Sequence, residues 1–436
     1  MHYAQLRIPA LVRMLALTAL FAIHALAVTE KVLYAFHGPG DGSLPSSNLI
    51  FDKAGNLYGT TSAGGSAACD NYYGIFGCGT VFKLSPNPDG SWTETVLYSF
   101  QGGLDGISPG NIIFDKAGNI YGTTWGGGVS TCYGGCGTVF KLSRSHGVWT
   151  ESVLYRFQGG SNGHAPTGII LDALGNVYGA TYYGGISTCN YTNFGCGVLF
   201  ELSPSGSGVW IQTILHTFGV TTIDGQNPNG GLVFDRKGSL FGSTNLGGTA
   251  LVNSGTIFEF TPSPSGWNET ILYSFNGGSA AGCLPAGGVI FGPGGRLYGS
   301  AYGGGIYGSG AFFEAGSGAK GWGEAVILPF GGNTAGMNPA GLLSTDSSGN
   351  LYGTTEYGGG GTGLGSGTVY KMTPNSNGWT GTLIYAFSGG ADGGIPLADV
   401  VVDSTGNIYG TARVGGLGDC DPYYGPGCGV VFEITP

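Results

Sequence analysis

Nine cysteines, 25 carboxylates and six histidines are the side chains of this 436-residue sequence best able to do chemistry. Eight of the cysteines fall into short-range pairs: Cys69 with Cys78, Cys132 with Cys136, Cys189 with Cys196, and Cys420 with Cys428. Zinc would want C-x₂₋₄-C spacings and often histidine. Only Cys132 and Cys136 have that spacing, and no histidine lies in these segments. Four disulfides are therefore expected, with Cys283 left over and no metal held by the cysteines.

The acids form two recurring sets. Asp41, Asp105, Asp224 and Asp392, with Asn162 in the same role, are each followed by Gly and then by Pro three residues on. Converging carboxylates of this kind would suit calcium, a polyol or an acid/base pair, whereas singly they read as Asp-Gly turns stopped by proline. Asp52, Asp115, Asp172, Asp235, Asp346 and Asp403 each precede a turn and read as Asx caps. No G-x-S-x-G, P-loop or H-E-x-x-H motif occurs, and the many Gly-x-Gly stretches open no helix, so no organic cofactor is expected. His216 reads as a core residue.

Composition bounds the class. Glycine is 91 of 436 residues, yet 41% hydrophobic and 12% aromatic content is ample for a core. Only 9% of residues are charged, which excludes a long-helix or coiled-coil protein. The net charge is −10 and no basic cluster exists, so nucleic acid is not an expected partner. Residues 1–27 read as a signal peptide: Arg7 and Arg13, an apolar run from Met14, then Ala25-Leu26-Ala27. Without Arg7 and Arg13 the charge becomes −12. No second apolar stretch or hydrophobic tail follows, so the reading is a secreted, extracellular or periplasmic protein with no membrane span after cleavage.

The elements that must carry these residues repeat seven times. Leu57-Tyr58-Gly59-Thr60-Thr61 recurs around Tyr121, Tyr178, Phe241, Tyr298, Tyr352 and Tyr409. Gly79-Thr80-Val81-Phe82-Lys83-Leu84 recurs from Gly137, Gly197, Gly255, Gly310, Gly367 and Gly429. A Val-Leu-Tyr-x-Phe run ends at Phe36, Phe100, Phe157, Phe218, Phe275, Phe330 and Phe387. Each copy reads as four short strands, a to d, rich in Val, Ile, Tyr, Phe and Thr and bounded by Gly, Asp and Asn. Trp92, Trp149, Trp210, Trp267, Trp322 and Trp379 open strand d in six copies. The chain starts with a lone d strand and ends with a lone c strand, an arrangement that a ring closes and a solenoid does not. The expected fold is all-β: a single seven-bladed β-propeller over 28–436. Its blades are 46–100, 110–157, 167–218, 229–275, 286–330, 340–387, and 397–434 completed by 30–36.

The pattern G-T-V-F-K-L, W-x-E-T-x-L-Y-x-F, D-G-x-x-P and D-x-x-G-N-L-Y-G-T-T resembles the tandem repeat of choice-of-anchor GloVer-containing proteins. Strand by strand it is also similar to NHL-type propellers. The resemblance spans essentially all of the mature chain. It implies an exported bacterial protein with no established catalytic activity. The family's sorting signals lie at the C-terminus, and none is expected here. The fifth copy departs most, with Gly292 in place of the turn aspartate.

In such a ring the b–c and d–a loops share one face. The b–c loops carry the four cysteine pairs and a set of aromatics: Tyr72, Tyr73, Trp125, Tyr133, Tyr182, Tyr183, Tyr302, Tyr357, Tyr423 and Tyr424. Rings on pinned, Gly-rich loops suit sugars or protein partners. Asp41, Asp105, Asp224 and Asp392 are expected on that face near the channel mouth. The leading expectation is a monomeric, non-catalytic protein that binds an extracellular polysaccharide or a surface protein. A glycosidase or lyase using the channel-mouth acids is the alternative, and an assembly scaffold is the third reading.

Overall fold

In the computed structural model the seven repeats are seven antiparallel blades. The structure describes residues 28–66, 69, 77–185, 189, 194–249, 253–278, 281–318, 321–332, 335–360, 365–418, 420 and 425–436. The expected leader and Tyr72, Tyr73, Tyr423 and Tyr424 lie outside them. Blade two shows the pattern: strand a Ile107–Phe114, b Ile120–Gly126, c Thr138–Ser145 and d Val148–Arg156. Strand a of blade one is broken into Ser43–Pro45 and Ile50–Phe51, and that of blade four into Gly225–Pro228 and Val233–Phe234.

Closure follows the expected route. Thr29–Ala35 pairs antiparallel with Val430–Thr435, Thr29 opposite Thr435 and Ala35 opposite Val430. That sheet continues inward through Ile408–Ala412 to Val401–Val402. The first strand therefore covers the edge that the last repeat would expose.

Strands a lie innermost. Gly231 and Gly288 bridge between neighbouring a strands, and the backbones of Gly230, Gly287, Gly341 and Ala398 crowd one another around the axis. Strands d form the outside. Between blades, the phenylalanines of strands c and d fill the core: Phe100 and Phe140 meet edge-on at 5.1 Å, as do Phe157 and Phe200. Both members of each pair are fully buried. A bulge in strand d, between Val153 and Tyr155 in blade two and at the matching place in the other blades, shifts the register within the Val-Leu-Tyr run.

The D-G-x-x-P segment is the start of strand a, not a loop stop, so that strand begins at Ile107 rather than near 110. Cys283 accordingly lies inside Gly282–Phe291, not in a connecting loop. The residue before each proline adopts φ near +56°: Leu44, Ser108, Ala165, Asn227, Leu284, Asn338 and Ile395. Its N–H donates across the blade joint to Cys428, Cys78, Cys136, Cys196, Ser254, Ser309 and Ser366, at 2.7–3.0 Å. The proline then packs on the glycine that opens strand c of the preceding blade, as Pro166 does on Gly137. All seven joints, the closing one included, carry this seam.

The turn aspartates are structural, as expected. Asp115 Oδ1 accepts the N–H groups of Ala117 and Asn119 at 2.9 Å, and its Oδ2 accepts the Asn119 amide at 2.7 Å. Asp52, Asp172, Asp235, Asp346 and Asp403 accept the matching backbone pair. Burial alone would raise the Asp52 carboxyl, but hydrogen bonds from Asn56, Tyr58 and Ala54 hold it below the usual range.

Candidate functional site

In blades one, two, four and six a buried threonine near the end of strand b pairs its hydroxyl with the threonine opening strand c. The pairs are Thr61–Thr80 and Thr244–Thr256 at 2.8 Å, Thr124–Thr138 at 2.9 Å and Thr355–Thr368 at 2.6 Å. The b–c ladder ends at this pair of positions in all seven blades, and the next residue lies toward the loop face. That residue differs in every blade but the two tyrosine ones: Ser62, Trp125, Tyr182, Asn245, Tyr302, Glu356 and Arg413. None of the seven is buried. They form a rim beside the inner strands: the Ser62 hydroxyl donates to Leu44 O at 3.0 Å and the Asn245 amide to Pro285 O at 3.3 Å. Neighbours also touch around the rim. The Tyr182 hydroxyl meets Asn245 Oδ1 at 3.4 Å, and the Tyr302 hydroxyl donates to Glu356 Oε2 at 2.9 Å.

One sector of the rim is aromatic. The Trp125 ring lies 6.0 Å from Tyr182 and 6.2 Å from Tyr183, and those two tyrosines meet edge-on at 4.8 Å. His164 stacks on Tyr183 at 5.0 Å and 28°, and Phe194 closes the group 5.6 Å from Tyr183. Trp125 is 47% exposed and Phe194 58%, so the cluster presents apolar ring surface to solvent. Burial lowers the His164 pKa, which keeps this stack uncharged.

Of the aromatics expected on the loop face, the structure brings Trp125, Tyr182 and Tyr183 together. Tyr302 sits elsewhere on the rim beside Glu356, Tyr357 follows Glu356, and Tyr133 is 81% exposed. His164, Asn245, Glu356 and Arg413 were missed. Aligning the seven repeats on Tyr-Gly would have shown the rim position as the one place where polar, charged and aromatic residues replace one another.

The four expected disulfides are present. The second cysteine of each pair is buried and offers its carbonyl to the next blade, the place Ser254, Ser309 and Ser366 take elsewhere. Bonded to each other, Cys132 and Cys136 leave no zinc ligand. Cys132 Sγ packs on Gly159, where a Cβ would stand 2.8 Å away.

The acids expected at the channel mouth are elsewhere. Asp41, Asp105 and Asp392 each accept the hydroxyl of the strand-d tyrosine seven residues earlier: Tyr34 at 2.8 Å, Tyr98 at 3.1 Å and Tyr385 at 3.0 Å. Each also accepts the N–H at the end of that strand, from His37, Gln101 and Ser388. These three carboxylates therefore stand one per joint between outer strands. Opposite each lies a glutamate on the next strand d: Glu94 by Asp41, Glu151 by Asp105, and Glu30 by Asp392. Burial first, and the nearby aspartate second, push these three glutamates up to about 7. One oxygen of each is buried without a hydrogen-bond partner.

On the opposite face, a cleft of about 480 Å³ lies between blades seven and one, lined by Phe51, Lys53, Trp92 and Tyr409 among others. Its acids, Asp52 and Asp403, are engaged in their own turns. Among the described residues no helix is long and apolar enough to cross a membrane.

A ring of seven four-stranded blades with a variable rim at the ends of strands b defines a repeat β-propeller. The Gloeobacter/Verrucomicrobia repeat matches residues 17–251, 70–313 and 187–424, and the chain belongs to this repeat family. No curated protein matches the sequence. Among solved structures, the chain is similar to PorZ, a surface component of the type-IX secretion system of Porphyromonas gingivalis. The identity is 14%, covering 86% of this chain and 46% of that one, with a TM-score of 0.47. It is also similar to a gluconolactonase from Xanthomonas campestris, at 15% identity over 77% and 90% of the two chains, with a TM-score of 0.41. A putative glucose dehydrogenase from Thermus thermophilus is 13% identical over 94% and 100%, with a TM-score of 0.42.

Proposed function

We propose that the protein is a secreted, non-catalytic binding propeller that takes an extracellular polysaccharide on the loop-face rim. The observation that carries this is the solvent-facing group of Trp125, Tyr182, Tyr183, His164 and Phe194, built from blades two and three and backed by two disulfide-pinned loops. Flat rings on a rigid support bind the apolar faces of sugars at low entropic cost. Glu356, Asn245 and Arg413 on the same rim supply the few polar groups that would orient hydroxyls. The four disulfides and the leader-like 1–27 segment support an exported location.

The test is a binding screen of the oxidised mature protein against polysaccharides, with the same mixtures assayed for released sugar. Saturable binding without release supports the proposal. Release of reducing sugar overturns the non-catalytic part, and binding only to a surface protein or only to itself overturns the ligand class.

A further inference from the structure

One joint departs from the tyrosine–carboxylate pattern in a way that changes its chemistry. Between blades three and four, His216 stands where Tyr34, Tyr98, Tyr155, Tyr273 and Tyr385 stand at other joints, while Asp224 and the strand-d Glu269 keep the usual acidic pair. The tyrosine hydroxyl there donates to an aspartate, or to Gln212 or Glu324 of the next strand d. A neutral imidazole brings a lone pair.

His216 Nε2 is 3.2 Å from Asp224 Oδ2 and 3.5 Å from Glu269 Oε2. One donor atom from each residue lies within 4.8 Å of the other two, the only such group among the described residues. Three ligands held ~2.1 Å from one ion at tetrahedral angles stand ~3.4 Å apart. Asp224 is 3% exposed, and Glu269 Oε1 is buried with no hydrogen-bond partner. Two largely enclosed acids face one imidazole, and a bound cation would supply positive charge between them.

The group is also held in place. Val220 N–H donates to Asp224 Oδ2 at 3.1 Å, and the imidazole is wedged between Phe218 at 4.9 Å and Phe260 at 5.0 Å. The side chains of His216 and Glu269 keep about a fifth of their surface exposed, which leaves a path for an ion and a position for water.

We propose that His216, Asp224 and Glu269 bind one divalent first-row transition ion that cross-links blades three and four. The donor set favours zinc and its neighbours over calcium, which prefers six or more oxygens. The Asp105–Glu151 and Asp392–Glu30 joints, which lack an imidazole, are the internal controls.

The experiment titrates zinc into the oxidised full chain, stripped of metal, by isothermal calorimetry, with thermal unfolding in parallel. The expected result is saturation at about one equivalent and a higher Tm with zinc. His216→Tyr, which installs the residue of the other joints, is expected to keep the circular dichroism spectrum and lose both effects. Glu269→Gln, copying Gln212 at the neighbouring joint, is expected to weaken binding at least tenfold. No saturable heat in the wild type, or unchanged zinc binding in folded His216→Tyr, overturns the site. Calcium binding tighter than zinc overturns the ion class.

Discussion

Asn162 Nδ2 donates to Gln212 Oε1 at 3.1 Å across the joint between blades two and three, where four other joints place aspartate opposite glutamate. Tyr155 donates to the same oxygen at 2.7 Å, and Gln212 returns a bond to Asn162 O at 3.0 Å. Both acids are replaced by amides together. An amide pair has the donor and acceptor that a carboxyl–carboxylate pair has only when it holds one proton. At the acidic joints burial and the facing aspartate instead raise the glutamate, so that it keeps its proton to higher pH. Between blades five and six the same three places are Leu328, Ala335 and Gly381, none with a polar side chain.

A pH dependence follows. Glu94, facing Asp41 and Tyr34, and Glu151, facing Asp105, Tyr98 and Arg156, have folded pKa values raised from 4.5 to about 7. A raised folded value means that the native state holds the proton more tightly than the unfolded chain. Their stabilisation is fully present below about pH 4.5 and is lost as pH rises through about 7. Wild-type Tm should fall between pH 5 and pH 8. Glu94→Gln with Glu151→Gln should flatten that slope, read by differential scanning calorimetry in buffers of matched ionic strength.

The seam glycine is expected to be intolerant. Gly137 has φ +85°, and a Cβ there would stand 2.5 Å from both Pro166 Cδ and Thr124 O. Gly137→Ala should cost at least about 1–3 kcal/mol from the backbone alone. Gly147→Ala, at φ +87° with no atom within 4 Å, carries the backbone cost without the clash and is the paired control. Urea unfolding of the two variants separates the terms, Gly137→Ala being the more destabilised.

The disulfides should matter locally. Chain-entropy reasoning gives each of these short loops about 2–3 kcal/mol. Cys132→Ala with Cys136→Ala should lower Tm yet leave the far-ultraviolet spectrum unchanged, because the buried ladder and the seam do not depend on the bridge. A collapse of the spectrum would contradict this.

Closure should be indispensable. Removing Thr29–Ala35 exposes Val430–Thr435, with Val430, Val431, Phe432 and Ile434 all fully buried in the intact chain. The shortened chain should lose cooperative unfolding and aggregate. Adding a peptide of residues 28–36 should restore part of the transition.

The ring itself was legible because its marks are local and repeated: a tryptophan opening strand d, Tyr-Gly in strand b, and a lone d strand at the start. The seam was not. Gly79 meets Pro109 thirty residues away in the next blade, so each read locally as a turn residue. The acids were assigned to the correct connection but the wrong radius. A d–a loop runs from the outside to the axis, and what holds Asp105 outside is Tyr98 behind it and Glu151 on another blade. The aromatic sector was found by residue type, whereas Asn245, Glu356 and Arg413 were missed because no local motif marks them.

The most direct measurement is calorimetric titration of a soluble polysaccharide fragment, taken from the binding screen, into the wild type and into Trp125→Ala with Tyr183→Ala. Trp125 is 47% exposed and neither Trp125 nor Tyr183 is buried, so the variant should stay folded. The account predicts saturable binding by the wild type and at least a tenfold loss in the folded variant. An unchanged binding constant would place the ligand elsewhere and contradict it.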